Sequence, residues 1–234
     1  MSETIGYNEG EGERAMSDVF DYAKFFMKHD PDTNRNTFDG NMKLQKLLVL
    51  ADLVSLAERD IPLFEDEILA FEHGCVIEKV RLRHANDFAG FIADSREFNP
   101  DFTQEEYNVL NLTVALFGGL SARDLSDINH AFSFWLTSYN NSIQPDGFKN
   151  KNKAVVSIDA MRGELDRIRD AIAAFRETES ENQFKETING VDFYYTPNDP
   201  VLTEEILTQL YNFSRFADEK AYSVYLDNGS LVIC

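Results

Sequence analysis

Cysteine, basic residues and long apolar runs are all scarce in this chain, and each scarcity excludes something. Two cysteines in 234 residues, Cys75 and Cys234, are too few for a disulfide framework and point to a reducing cytoplasm. Only 22 Lys and Arg stand against 41 Asp and Glu, a net charge of −19. Phosphate binding needs a basic footprint, so no direct nucleic-acid partner is expected. The carboxylates mostly solvate helix faces, and together they favour a basic partner surface. The longest apolar stretch is shorter than the ~20 residues a bilayer demands, so no membrane span is expected. The opening MSETIGYNEGEGERAMSD has no positive segment followed by an apolar one, so the expectation is a protein neither exported nor anchored.

Catalytic signatures are missing too. There is no G-x-S-x-G, no P-loop and no H-E-x-x-H. The histidines His29, His73, His84 and His130 are scattered, and with two cysteines they match no zinc spacing. Gly10, Gly12 and Ala15 fit G-x-G-x-x-A, but no strand precedes them and no βαβ pattern follows. Cys75 follows Gly74 near an expected helix start, where a helix dipole lowers a thiol pKa. A lone cysteine is more often a small buried hydrophobe. The expectation is a non-enzyme with no catalytic residue, no cofactor and no metal, and a turnover lost on changing His73, Cys75 or His130 would contradict it.

What is present is organised around Met42–Ala57, MKLQKLLVLADLVSLA. Good helix formers fill it, and Leu44, Leu47, Leu48, Leu50, Leu53 and Leu56 cover almost its whole circumference. Such a helix is buried, and the other segments should pack around it. The fold class expected is mainly α, a compact helical bundle around this central helix, with a small C-terminal α+β appendage containing a β-hairpin. The domain reading is a mobile lead-in over 1–15, a helical domain over 16–150, a heptad-like helix and acidic linker over 151–183, and the appendage over 184–234.

Local signals fill in the elements. Ser17 is expected to cap a first helix ending near His29, and Asp39 or Asn41 to cap the central one. A short element around Ile68–Phe71 is broken at His73-Gly74, and an amphipathic helix is expected from Val76 to about Ala93. Thr103-Gln104-Glu105-Glu106 is a capping box. Ser121 caps a helix expected to carry Leu125, Ile128, Phe132 and Trp135 on one side. Ile158, Met161, Leu165, Ile168, Ile172 and Phe175 form a coiled-coil-like seam, for packing inside the chain or for a homo-oligomer. Thr203 starts a later helix, and Asp227-Asn228-Gly229 is a hairpin turn.

Several of these segments together resemble a known family. Met42-Lys43-Leu44-Gln45-Lys46-Leu47-Leu48, then Ile61-Pro62-Leu63-Phe64, then Ala70-Phe71-Glu72-His73-Gly74-Cys75-Val76-Ile77 look like the Panacea domain, the SocA-like or GepA-like phage-associated family. Leu120-Ser121-Ala122-Arg123-Asp124-Leu125-Ser126, through His130 to Trp135, is similar to its second half. The resemblance covers roughly residues 17–140. It departs at Phe71, where the family usually has Trp, and at Cys75, where it usually has Pro.

The resemblance implies an antitoxin-like protein that binds and neutralises a cognate toxin encoded nearby. An alternative within the family is a proteolytic adaptor that delivers the toxin to a cytosolic protease. Outside it stands a phage or mobile-element interaction protein without catalysis. The family-motif residues are Lys43, Gln45, Lys46, Pro62, His73, Gly74, Ser121, His130 and Trp135. Lys43, Gln45 and Lys46 either line a recognition surface or make internal hydrogen bonds near Gly74. For partner contact, Phe193, Tyr194, Tyr195, Tyr222 and Tyr225 supply the aromatic anchors that interfaces favour.

Overall fold

The computed structural model describes residues 17–181, 184–196, 200–227 and 229–234. The expected lead-in over 1–15, with its G-x-G-x-x-A, lies outside them, as do residues 182–183, 197–199 and Asn228 of the hairpin turn. The chain divides into two compact units, Met1–Ala171 and Ile172–Cys234, and it is mainly α-helical.

Unit 1 is built on α2 (Phe38–Arg59), the central helix, which starts earlier and ends later than its apolar stretch. Thr37, not Asp39 or Asn41, is its N-cap, accepting from Gly40 N. Asp60 ends it in the left-handed conformation at φ 57°. Leu44, Leu47, Leu48, Leu50, Leu53 and Leu56 have no exposed surface, and each buried leucine contributes roughly 1.5–3 kcal/mol. Burial this complete needs neighbours all round. They are α1 (Val19–His29), the two strands β1 (Ile68–Phe71) and β2 (Gly74–Ile77), α3 (Glu78–Asn86), α4 (Phe88–Glu97), α5 (Gln104–Thr113), α6 (Ala122–His130), α7 (Ser133–Ser142) and α8 (Ile158–Arg162); of these α1, α3, α5, α6, α8 and β2 pack directly on α2.

The ends of these helices follow their capping chemistry. Asp18, one residue beyond Ser17, caps α1. Thr103 and Glu106 form a capping box on α5, and Ser121 and Asp124 another on α6. Glu106 also accepts a 2.5 Å bond from the Tyr22 hydroxyl, which ties α5 to α1. Burial pushes Glu106 up, but the bonds from Tyr22 and Thr103 outweigh it and hold the carboxyl below its usual range.

Three expected helices are corrected. The run from Val76 to Ala93 is not one helix: residues 74–77 form β2, antiparallel to β1 with Phe71 opposite Gly74, and Asp87 then breaks α3 from α4 by capping Gly90 N. The helix from Ser121 to Trp135 is also two, because Ala131 and Phe132 separate α6 from α7. The heptad-like seam is split at Gly163-Glu164 into α8 and α9 (Leu165–Glu181), with Glu164 turned to accept from Ser133 N and Oγ. Met161, Leu165, Ile168 and Ile172 are buried, while Ile158 at the start of the seam is exposed.

Unit 2 begins within α9 and carries a four-stranded sheet in the order β3-β4-β5-β6. β3 (Phe184–Ile188) and β4 (Val191–Tyr195) form a hairpin through Asn189-Gly190, both at positive φ. The crossover through α10 (Glu204–Ser214) then lays β5 (Ala221–Asp227) parallel to β4, and β6 (Ser230–Ile233) returns antiparallel. Val191, Phe193, Leu210, Tyr222 and Val224 are its core. β5 and β6 pair with Asp227 opposite Ser230.

Candidate functional site

The family-motif residues converge on the β1–β2 hairpin. A two-stranded hairpin leaves two rows of backbone groups unpaired, and each must find a partner when buried. Here one row pairs with residues 154–156: Ala70 N donates to Ala154 O and Val156 N to Ile68 O, both at 2.8 Å. Side chains pair with further backbone groups of the hairpin. From α2, Lys46 Nζ donates to Cys75 O at 2.9 Å, and Gln45 Oε1 accepts from Ile77 N at 2.8 Å. From α6, Asn129 Oδ1 accepts from Cys75 N at 2.6 Å, Ser126 Oγ donates to His73 O at 3.1 Å, and His130 Nε2 donates to Glu72 O at 3.1 Å. From α7, Trp135 Nε1 donates to Phe71 O at 2.8 Å. The hairpin is thus held by side chains of three helices.

Gly74 sits at the centre of this clamp with φ 94°. A Cβ there would lie 2.7 Å from Asn129 Oδ1 and 2.8 Å from Lys46 Cε, so the turn and the close approach both require glycine. Burial pushes the Lys46 ammonium down to about 8 and the Cys75 thiol up to about 12. The Cys75 thiol is therefore neutral and sealed from solvent, not an activated nucleophile. Burial also lowers His130, whose ring lies 4.1 Å from that of Trp135. These two sit on different helices, α6 and α7, rather than on one.

The remaining motif residues work elsewhere. Lys43 is buried in ion pairs with Asp30 at 2.8 Å and Asp32 at 3.1 Å, and it donates to Gly118 O at 2.8 Å. Pro62 follows α2, where Ser55 Oγ donates to Ile61 O and Asp52 Oδ1 accepts from Leu63 N. Burial pushes the Asp52 carboxyl up to about 7. Ser121 is a helix cap.

Against the hairpin lies a pocket of ≈ 700 Å³. Met42, Ala70, Phe71, Val76 and Ala154 provide its apolar wall. Phe38, 63 % exposed at the start of α2, meets His73 edge to face at 5.3 Å and frames one side. Arg81, Lys149 and Lys151 bring cations to it, and Lys46 and Gln45 stand in its wall. Its volume and apolar wall with a few polar groups are those of a small-molecule site.

The five aromatics expected to anchor a partner divide. Phe193 has no exposed surface and Tyr222 is 8 % exposed, so both are core of unit 2, not surface anchors. Alternation along a strand shows two faces without saying which is covered, so the sequence does not separate core aromatics from surface ones. The Tyr222 hydroxyl is used internally, donating to Asp218 Oδ1 at 2.6 Å. Tyr195 packs against the same core. Tyr194 and Tyr225 alternate with core residues and face the other side of the sheet, Tyr225 with 43 % exposed.

Ser126 lies inside the second motif segment, whereas Asn129, Arg81 and Lys149 are not among the residues the motifs single out. Asn129 stands one residue before His130 in the motif, the only local hint available. Arg81 and Lys149 reach the pocket from separate segments and carry no local signature.

Among the described residues no helix is long and apolar enough to cross a membrane, and no three His, Cys, Asp or Glu are grouped to hold a metal ion. No curated protein and no solved structure matches this chain. A family model does: antitoxin SocA-like, Panacea domain, over residues 44–136. That interval is narrower than the resemblance read from the motifs, yet it contains most of α2, the whole hairpin, α6 and Trp135. Residues 44–136, which carry the clamped hairpin, are thus similar to the antitoxin SocA-like Panacea domain.

Proposed function

We propose that this chain is a cytoplasmic antitoxin that neutralises a cognate toxin, encoded nearby, by direct protein–protein contact and without catalysis of its own. The observation that carries the reading is the family match over residues 44–136. The charge supports it: at −19 the chain is complementary to a basic partner and would steer its association. The clamp supports it as well, because a rigid hairpin costs little entropy when a partner docks on its exposed turn at Glu72 and His73.

The test is co-expression of the full chain with each immediate genomic neighbour, scoring growth and co-purification. A neighbour that is toxic alone, harmless with this chain, and co-eluting with it is the expected result. Rescue accompanied by disappearance of the neighbour, with no complex, would replace neutralisation by delivery to a protease. If no neighbour is toxic, the antitoxin reading fails.

A further inference from the structure

We infer that the pocket beside the clamped hairpin is a binding site for a small aromatic anion, a flat ring carrying a phosphate or carboxylate. The first argument is charge. The chain as a whole has 22 basic against 41 acidic residues, yet the charged side chains at this pocket are Arg81, Lys149, Lys151 and Lys46 against Glu72. Lys149 pairs with Glu72 at 3.3 Å, while Arg81, at 3.6 Å, and Lys151 share the single carboxylate of Glu78. Even with Glu78 counted, cations outnumber carboxylates at this pocket.

The second argument is Lys46. Its ammonium, with no exposed surface, donates to the Cys75 carbonyl, which supplies a dipole and no countercharge. An anion in the pocket would supply the missing charge across a low-dielectric wall, where such attraction is strongest. The start of α2 adds to it: Thr37, Phe38 and Asn41 line the pocket, and the N-terminal end of a long helix carries positive potential.

The third argument is shape and surface. Phe38 and His73 stand edge to face beside the pocket, and Phe71 lies in its wall under Arg81, whose guanidinium carbon is 5.8 Å from the ring centroid. Exposed aromatic rings flanking an apolar cavity favour a flat ring over an aliphatic chain. A volume of ≈ 700 Å³ suits one ligand of nucleotide or aromatic-acid size.

Calorimetry on the full chain tests this with AMP, GMP, CMP and UMP as the phosphate arm and phenylpyruvate and indole-3-acetate as the carboxylate arm. Adenosine is the uncharged control and inorganic phosphate the ringless one. The expected result is binding in one arm below about 100 μM, with both controls at least tenfold weaker. Phe38→Ala and the pair Lys149→Ala with Lys151→Ala, all at exposed positions, should weaken that binding about tenfold without moving the melting temperature.

No heat from any arm at about 1 mM, or equal binding of adenosine, overturns the inference. So does binding that the variants leave unchanged. If the variants lose a toxin partner while no small anion binds, the pocket is a protein-docking point and the inference also falls. The antitoxin reading is unaffected by any of these outcomes.

Discussion

Gly74→Ala is the sharpest perturbation of the clamp. An alanine at φ 94° carries about 1–3 kcal/mol of backbone strain. Its methyl would also meet Asn129 Oδ1 at 2.7 Å and Lys46 Nζ at 2.9 Å, and the lysine must move. Moving it breaks the bond to Cys75 O, and a hydrogen bond from a charged donor contributes about 1.5–3 kcal/mol. The sum is roughly 2.5–6 kcal/mol, a large share of the stability of any domain. Gly119→Ala is the control, because φ there is −72° and a Cβ would meet nothing within 4 Å. Denaturant titration followed by the fluorescence of Trp135, the sole tryptophan and a member of the clamp, reads unit 1 directly. A loss below about 1 kcal/mol for Gly74→Ala, or equal losses for the two variants, refutes the steric argument.

Three further outcomes follow from the buried charges. Lys46 titrates at about 8 in the fold against 10.5 when free, so between those values the unfolded chain binds more protons and native stability rises with pH. Lys46→Met should abolish that rise, on the order of 3 kcal/mol, while leaving the Cys75 carbonyl unpaired and the protein weaker near neutrality. Asp52 behaves oppositely: raised from 3.8 to about 7, it makes stability fall as pH climbs from about 4 to 7, and Asp52→Asn should flatten that fall in chemical denaturation. His130, lowered from 6.5 by burial and 4.1 Å from the Trp135 ring, should quench its fluorescence on protonation. The quenching midpoint lies below 6.5 and vanishes in His130→Gln; a midpoint above 6.5 contradicts the burial argument.

The central helix was legible because its signal is local: sixteen consecutive residues with apolar side chains on every side have only one place to go. The capping boxes at Thr103 and Ser121 were legible for the same reason, each being complete within four residues. The hairpin was not. β1 and β2 are four residues each and buried on both faces, so Ile68–Ile77 shows no alternation. A short apolar run without alternation reads equally well as helix. What makes it a hairpin lies 29 to 64 residues away, in Lys46, Asn129, His130 and Trp135. Asp87 and Phe132 break helices without glycine or proline, and only the cap geometry of Asp87 betrays its break. The pocket draws residues from five segments and was invisible for that reason.

The departures from the family pattern can be placed in the same physical frame. Where the family usually has proline, this chain has Cys75, and a proline there has no N–H to satisfy. Cys75 does have one, on the buried outer edge of β2, and Asn129 Oδ1 accepts it at 2.6 Å. The other end of that amide, Asn129 Nδ2, is buried without a partner, a cost of about 1–3 kcal/mol. Asn129 therefore holds the hairpin at a penalty that the bonds of Lys46, Gln45, Ser126, His130 and Trp135 must offset. Removing any one of those neighbours should cost more than its own bond, because Asn129 is satisfied only while the hairpin stays in register. Double-mutant cycles between Asn129→Ala and Trp135→Phe measure that coupling. An interaction energy near zero would mean that the six bonds act singly and the clamp is not a unit.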